Sequence, residues 1–252
     1  MWDQLGQDDG TFEHLHSYLG EMGFGRAVVF APFHRWFDGD PNAWTLEQAA
    51  KDARFIPWVT LQEPGPAAAA DLRKLAARGA RGVKLHPAII KTAVDDPALE
   101  PVWAVAEEFR LPVLIHTGPH GWHLSKYRPA LVDEVAQRHP KLPLIIEHMG
   151  GAGLCREAYA VMANSKCTYG GLTTCLNEDA TWAVPPDEIR MMIGKFGAER
   201  FIFGSDFPWN SVEQNKRALA VLDSFKLPPS DLDLILTGNI ERLVGSAGGG
   251  VS

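Results

Sequence analysis

Residues that can bind metals or transfer protons follow several apolar runs of this sequence. The segments "VKLHP", "VLIHTG", "IIEHMGG" and "FGSDFPW" supply Lys84, His86, His116, Glu147, His148 and Asp206. Imidazole and carboxylate groups are the usual zinc ligands and the usual general acids and bases of enzymes. A single histidine after an apolar run is usually a hydrogen-bonded structural residue. Several at equivalent positions indicate a shared site, because buried charges need partners or a metal.

A separate candidate is the pair His14 and His16, which has the spacing His-x-His in "TFEHLHSYLGEMG". On a β-strand the two rings would point to the same side, whereas on a helix they lie roughly 200° apart and cannot close on one ion. Apolar residues recur in this segment at helical spacing: Phe12, Leu15, Leu19 and Met22. Thr11 can cap such a helix, and Gly23 or Gly25 can end it. The pattern therefore predicts a surface helix rather than a metal site.

The elements that must position the chemistry are short apolar runs, each followed by a longer helical pattern. Seven runs are rich in Val, Ile and Phe: "RAVVFA", "RFIPWVT", "RGVKLH", "LPVLIHTG", "LPLIIEHMG", "CTYGGL" and "RFIFGSDFP". Continuous apolar runs are typical of strands buried on both faces in a parallel sheet. Strand and helix alternating about every 30 residues predict a (β/α)₈-type barrel, whose catalytic groups sit at the C-terminal ends of the strands.

The chain organisation and composition limit the classes of function. The 252 residues show no internal linker or repeat, so we expect one domain over residues 1–245 and a flexible tail over residues 246–252, "SAGGGVS". A net charge of -7 argues against nucleic acid or an anionic membrane as the main partner. The three cysteines form no CxxC pair, and neither a signal peptide nor a membrane span is recognisable. We therefore expect a cytoplasmic protein with a small-molecule substrate.

Taken together, "GVKLHP", "LIHTG", "IIEHMGG", "FIFGSDFPW" and "ILTGNIERLVG" resemble, in order and spacing, the amidohydrolase-related (amidohydrolase 2) family of the metal-dependent amidohydrolase superfamily. The resemblance runs from about Arg26 to Gly245 and implies a distorted TIM barrel. It also implies zinc, or another divalent metal, bound by His116 and Asp206. His148 is then the residue that polarises the substrate or moves protons. Asn239 and Arg242 are implied to tie the last helix to the barrel.

The sequence departs from the family pattern at its start. Family members begin with a first strand ending in His-x-His, which supplies two zinc ligands, whereas this chain opens with "MWDQLGQDDG", which resembles the loop after that strand. We therefore expect the first strand and both ligands to be missing. His116 and Asp206 give only two of the three protein ligands typical of catalytic zinc, and His148 could supply a third, so the metal is bound weakly or is absent. A homodimer could cover the open seam.

Candidate substrate-binding residues surround these positions. His86 is expected on the same face as Lys84, where it lines the pocket or hydrogen-bonds the following turn; Lys84 itself lines the pocket or forms an ion pair. Arg35, Lys126 and Arg128 are candidate anion anchors in the loops "APFHRWFDGD" and "GPHGWHLSKYR", and Trp209 is a candidate pocket wall. Glu147 is expected to point away from His148, toward solvent or a helix.

These residues favour hydrolysis of an amide or lactone in a small organic substrate. A bound metal would lower the pKa of a water molecule, Asp206 would orient or deprotonate that water, and His148 would stabilise the oxyanion. Three alternatives stay open: a non-oxidative decarboxylase (lyase) like aminocarboxymuconate-semialdehyde decarboxylase, a metal-free lactonase, and a non-catalytic barrel.

Overall fold

A computed structural model describes residues 10–247 and contains a seven-stranded parallel sheet. Each strand pairs with the next one along the chain, so the sheet order is the sequence order. All seven predicted strands are confirmed: β1 Ala27–Phe30, β2 Phe55–Thr60, β3 Val83–Leu85, β4 Val113–His116, β5 Leu144–Glu147, β6 Thr168–Gly171 and β7 Phe201–Ile202. Within residues 10–247, β1 and β7 are the two edges, so the sheet curls into a barrel with one strand fewer than eight.

Helices connect the strands and cover the outside of the sheet, as parallel pairing requires. In chain order they are α1 Phe12–Met22, α2 Pro41–Ala49, α3 Pro66–Ala77, α4 Pro87–Ile90, α5 Glu100–Glu108, α6 Ala130–Arg138, α7 Cys155–Asn164, α8 Pro186–Phe196, α9 Val212–Ser224, α10 Pro229–Asp233 and α11 Asn239–Ser246. None of those in the described range combines the length and apolarity needed to cross a membrane.

The two faces of the sheet carry different apolar layers, because successive side chains of a strand alternate. Outward residues such as Leu144 and Ile146 join the large core shared with the helices. Inward residues form a smaller cluster: Ile56, Trp58, Leu114, Ile145, Tyr169 and Ile202, with Leu243 and Val244 of α11 packed against them. His116 and Glu147 lie two residues after Leu114 and Ile145 on the same strands, so the alternation delivers these two polar side chains to the C-terminal end of the barrel.

Two glycines make room for large side chains inside the barrel. A Cβ at Gly82 would lie 2.3 Å from the Trp58 indole, and a Cβ at Gly171 would lie 2.2 Å from a Glu147 carboxylate oxygen. Carbon atoms do not approach that closely, so an alanine at either position would displace the neighbouring side chain. Gly82, just before β3, and Gly171, at the end of β6, therefore allow an indole and a carboxylate to be buried.

The predicted N-terminal helix is confirmed as α1. The Thr11 hydroxyl accepts a hydrogen bond from the backbone N–H of His14, and Gly23 ends the helix with φ 73°. His14 and His16 are both exposed, so this pair does not close on one ion. The N-terminal residues 1–9, where the sequence departs from the family pattern, lie outside the described residues.

The end of the chain is tied to the barrel in the way the resemblance implies. The Asn239 side chain donates to the carbonyls of Ala198 and Phe201, both at 2.8 Å, and Arg242 donates to the Glu199 carbonyl at 3.2 Å. Helix α11 extends to Ser246, and buried Ala247 accepts a hydrogen bond from Arg81 at 2.8 Å. The predicted flexible tail therefore does not include residues 246 and 247; residues 248–252 lie outside the described range.

Candidate active site at the C-terminal end of the barrel

Three strand ends and one loop bring four histidine rings together. His86 follows β3, His116 is the last residue of β4, and His148 follows β5. The His116 ring lies 3.8 Å from that of His86 and 4.7 Å from that of His148, measured between centroids. His120, in the loop after β4, lies 4.4 Å from His86 and 5.0 Å from His116. The predicted convergence of His86, His116 and His148 is thus present, and His120 joins them.

Unpartnered ring nitrogens mark part of this cluster. His86 Nδ1 and His116 Nε2 are buried without a hydrogen-bond partner in the described residues. An orphaned buried polar atom costs about 1–3 kcal/mol, so a ligand that supplies the missing contact is favoured. His86, His116 and His120 each offer a ligand atom within 4.8 Å of the other two. Their nitrogen donors are of a kind that suits zinc, so these residues fit the metal that the resemblance implies.

His148 is held differently from the other rings. Its Nδ1 lies 2.9 Å from the Thr173 carbonyl oxygen and 2.9 Å from Thr174 Oγ1. A carbonyl can only accept, so Nδ1 carries the proton and Nε2 of the neutral ring keeps its lone pair. The His148 backbone, with φ 60°, ends the strand and turns the chain. The ring is therefore fixed in one tautomer with Nε2 available for proton transfer.

Lys84, Glu147 and Asp206 form a charged group beside the histidines. The Lys84 ammonium lies 5.3 Å from the centre of the Phe30 ring. Burial lowers the pKa of Lys84 from its ordinary value, and the nearby Glu147 and Asp206 carboxylates oppose that shift. Burial likewise raises the pKa of Glu147 and of Asp206, and Lys84 opposes both shifts. Lys84 and the two carboxylates therefore stabilise one another's charged forms in a poorly solvated place, whereas the charge of Asp206 disfavours ionisation of Glu147.

The expectation that Glu147 faces solvent or a helix is wrong. Glu147 is 3% exposed and lies on the inner face of β5, in the space that Gly171 leaves open. The strand ends at Glu147, and His148 and Met149 both adopt positive φ. Alternation therefore stops between Glu147 and His148, which allows both side chains to serve the same end of the barrel.

The surroundings keep the histidines neutral. Burial lowers the pKa of His148 to about 3, with the positive charge of Lys84 adding to the effect. Burial also puts the pKa values of His86 and His116 well below the ordinary histidine value. The pKa of half-buried His120 is lowered in the same direction, chiefly by desolvation. Neutral imidazoles can accept a proton or bind a metal, whereas imidazolium can do neither.

Asp206 lies at the end of the segment after β7, beside Lys84 rather than within the histidine group. Among the described residues, the set of mutually close metal-binding side chains contains His86, His116 and His120 and does not include Asp206. Asp206 also adopts φ 55°. Burial raises the pKa of Tyr18 to about 12, and the Asp206 charge contributes. The structure therefore brings Asp206 together with Lys84 and Tyr18.

Aromatic side chains form walls around the histidines. Trp182 stacks on His148 at 5.1 Å and on His120 at 6.2 Å, and Phe33 meets His86 edge-on at 6.2 Å. Neither Phe33 nor Trp182 is among the residues predicted from the sequence. His120 was missed as well, although it stands only four residues after His116 in "HTGPH". That short spacing after a strand-end histidine is the signal that could have identified it.

The predicted anion anchors are distributed around the rim. Arg35 is exposed and lies over the Trp36 ring, 5.2 Å from its centre. Lys126 is exposed in the loop after β4. Arg128 is bound in a bidentate ion pair with Glu157 of α7, so it is not available as a free anchor and that interpretation is wrong. Trp209 is half-buried in the loop after β7.

Comparison with known proteins agrees with this architecture. The family model described as Amidohydrolase matches residues 9–246, so the chain belongs to the amidohydrolase family. No curated protein matches. An uncharacterised TIM-barrel protein of Bordetella bronchiseptica superposes with a TM-score of 0.82 at 22% identity, covering 94% of this chain and 84% of that one.

Two further solved structures share the fold at lower identity. The 5-carboxyvanillate decarboxylase of Sphingomonas paucimobilis has a TM-score of 0.69 at 16% identity, covering 92% of this chain and 82% of that one. An amidohydrolase of Burkholderia multivorans with bound zinc has a TM-score of 0.69 at 16% identity, covering 93% and 88%. Solved structures that share this fold therefore include a decarboxylase and an amidohydrolase with bound zinc.

Proposed function

We propose that this protein is a metal-dependent hydrolase that opens an amide or lactone bond in a small organic substrate. The observation that carries the proposal is the convergence of four imidazoles with Lys84, Glu147 and Asp206 at the C-terminal end of the barrel. Active sites of barrels of this type lie at that end. Membership of the amidohydrolase family supports the same class of reaction.

Each group at this end has a chemical role in the proposed reaction. Zinc, with His116 among its ligands, would supply Lewis acidity and a bound water of lowered pKa. Because Nδ1 of His148 donates to Thr173, the neutral ring presents a lone pair at Nε2, which would accept a proton and pass it to the leaving group. Nε2 donates no hydrogen bond to the oxyanion until it is protonated. Asp206 would orient or deprotonate the attacking water, and its raised pKa makes it a stronger base than an ordinary aspartate.

The substrate that fits these surroundings is planar and carries a negative charge. Trp182 and Phe33 offer aromatic faces on two sides of the histidines. Lys84 lies between its carboxylate neighbours and the Phe30 ring, where it can bind an anionic group. His86 lines the same space, while Arg35 and Trp209 would contact the substrate from the rim. The unpaired cysteines fit a reducing cytoplasmic location.

A second candidate is non-oxidative decarboxylation of an aromatic carboxylate. The buried ammonium of Lys84 is the observation that favours it, because a cation there can hold the carboxylate that is lost. The 5-carboxyvanillate decarboxylase has the same fold. Protonation of the ring carbon after loss of CO₂ needs a proton donor, and Nε2 of the fixed His148 ring would deliver a proton that it has first accepted.

The two candidates are separated by assaying zinc-loaded protein on probes of each class. Dihydrocoumarin and 4-nitroacetanilide test hydrolysis, and 5-carboxyvanillate tests CO₂ release. We expect turnover of the hydrolytic probes, with kcat/KM lowered about 10²- to 10⁴-fold in His148→Gln because a general acid–base group is removed. The matched control is His123→Gln, which changes an exposed histidine in the neighbouring loop.

Two results would contradict one candidate or both, and a third would change the role of His148. Release of CO₂ without hydrolysis would replace the hydrolase by the decarboxylase. Equal turnover by wild type and His148→Gln would remove His148 from the mechanism. Zinc-loaded protein that turns over neither class of probe would contradict both.

A further inference from the structure

The histidines at the barrel mouth differ in how their ring nitrogens are used. His148 Nδ1 is hydrogen-bonded to the Thr173 carbonyl, whereas His86 Nδ1 and His116 Nε2 have no partner within residues 10–247. His86 and His116 are 6% and 4% exposed, so bulk water does not solvate these two atoms freely. Two orphaned lone pairs or N–H groups on adjacent rings point to a shared ligand.

We propose that His86, His116 and His120 form a three-histidine site for a zinc-class divalent ion, with His86 Nδ1 and His116 Nε2 as two of its ligating atoms. This inference rests on the proposed function in placing the ion at the barrel mouth. It goes beyond that function by naming a ligand set in which Asp206 takes no part. The three side chains offer ligand atoms within 4.8 Å of one another.

The chemistry of the set selects the kind of ion. Three neutral imidazoles suit zinc, cobalt, nickel and copper, whereas magnesium, calcium and manganese prefer carboxylate and carbonyl oxygen. Three protein ligands leave one position of a tetrahedral ion open for water or substrate, as in catalytic zinc sites. His148 stays outside the set because, among the described residues, the ligand atoms that all lie within 4.8 Å of one another belong to His86, His116 and His120.

Binding requires a small rearrangement that the loop after β4 can supply. Tetrahedral ligands at ordinary zinc–nitrogen distances lie about 3.3 Å from one another. The rings of His86 and His116 are stacked with 14° between their planes, so one must rotate before both lone pairs reach one ion. His120 stands in a loop with Gly118 and Gly121 at positive φ and is half-buried, which leaves its ring free to follow.

Charge near the site is compatible with a dication. Lys84 faces all three histidines, and Lys91 also acts on His120. Glu147 and Asp206 face Lys84 from β5 and from the segment after β7. When all four groups are ionised, the two carboxylates offset the two ammonium groups, so these groups carry no net positive charge that would oppose a dication at the mouth.

The test measures metal binding directly and needs no substrate. Protein freed of metal with a chelator is titrated with zinc by calorimetry and with cobalt by visible absorption. We expect one equivalent of each ion and intense cobalt bands typical of low coordination number. His86→Gln and His120→Gln should each weaken zinc binding by more than the 10- to 100-fold typical of losing an outer-shell contact. His123→Gln, in the same loop as His120, should bind as wild type does, and Asp206→Asn, which removes a nearby negative charge but no ligand, should weaken binding far less than either of those two variants.

A second measurement uses only the wild-type chain and therefore does not depend on whether the variants fold. Nitrogen-15 NMR of the histidine rings in the wild-type chain should show zinc-induced shifts at His86 Nδ1 and His116 Nε2, with His148 Nε2, which carries the lone pair of that ring, showing no zinc-induced shift. Zinc binding that survives in His86→Gln and His120→Gln, or is lost in Asp206→Asn, would overturn the inference.

These outcomes separate the inference from the proposed function. Turnover with zinc bound by other residues would overturn the inference and leave the function standing. Zinc bound by the three histidines without turnover of any probe would support the inference and contradict the proposed function.

Discussion

Two regions of the molecule bury histidines, and they use them in opposite ways. His139, after α6, is 6% exposed, and its Nε2 lies 2.9 Å from Glu100 and its Nδ1 3.2 Å from Glu107. His86 and His116 at the barrel mouth are equally buried, yet each has a ring nitrogen without a partner in the described part of the chain. Burial and residue type are the same, and only the partners differ.

The difference separates a structural histidine from a functional one. His139 links α6 to α5, since both its partners lie on α5, and Arg138 joins Glu100 at 3.1 Å. Every polar atom of that ring is satisfied by the fold itself, so the contacts contribute to stability. At the mouth the fold leaves polar atoms unsatisfied, which lowers stability unless something binds. Unsatisfied polar atoms of this kind are typical of a binding site rather than of a contact that stabilises the fold.

The largest effect expected from this comparison is on stability, at His139. The substitution His139→Ala removes both carboxylate contacts and leaves Glu100 and Glu107 facing a cavity. We expect the free energy of unfolding to fall by about 2–3 kcal/mol. Zinc binding and turnover should be unchanged at temperatures where the variant is folded. Urea denaturation with matched activity measurements checks both, and a loss of zinc affinity with unchanged stability would break the distinction.

The pH dependence of stability is the second way to sharpen the comparison. The pKa of His148 is about 3 in the folded chain, below the ordinary histidine value, so protonation favours the unfolded state. The contribution of neutral His148 to the free energy of unfolding is complete above about pH 6.5, the pKa of histidine in the unfolded chain. It is lost as the pH falls toward the lower pKa of His148 in the folded chain. When the pH is lowered from 6.5 to 5, the free energy of unfolding of the metal-free wild type should fall by about 2 kcal/mol more than that of His148→Gln.

The measurement is urea denaturation of both proteins at several pH values in the presence of a chelator. Taking the difference between wild type and variant removes the opposing contributions of Glu147 and Asp206, whose raised pKa values favour the folded state on acidification. Parallel curves for the two proteins would show that His148 is solvated and would contradict its placement.

The fold was predictable because the information lies in local patterns. Apolar runs such as "LPLIIEHMG" became β5, and the helical spacing before Gly23 became α1. Because parallel strands end at one side of a barrel, placing His86, His116 and His148 at strand ends was enough to predict that they meet.

What could not be predicted depends on loop conformation and on distant partners. His120 and Trp182 reach the site from loops, which have no periodicity to place them. Glu147 was misplaced because the positive φ of His148 and Met149 interrupts strand alternation, and an L-residue in that region has no reliable sequence signal. Arg128 was misread because its partner, Glu157, belongs to the next helix.

The smallest effect is expected at a single partner of His139. The substitution Glu107→Gln keeps the shape of the side chain but removes its charge from His139 Nδ1 and from the Lys141 backbone N–H, which donates to Glu107 at 2.9 Å. The single amide oxygen can still accept one of these two hydrogen bonds, so we expect a loss of about 0.5–1 kcal/mol, less than half that of His139→Ala. Glu108→Gln, on the same helix but paired with Arg73 at the surface, is the matched control, with a loss near zero. Urea denaturation of the three variants checks the order, and equal losses at Glu107 and Glu108 would mean that the ring of His139 draws no stability from its carboxylates.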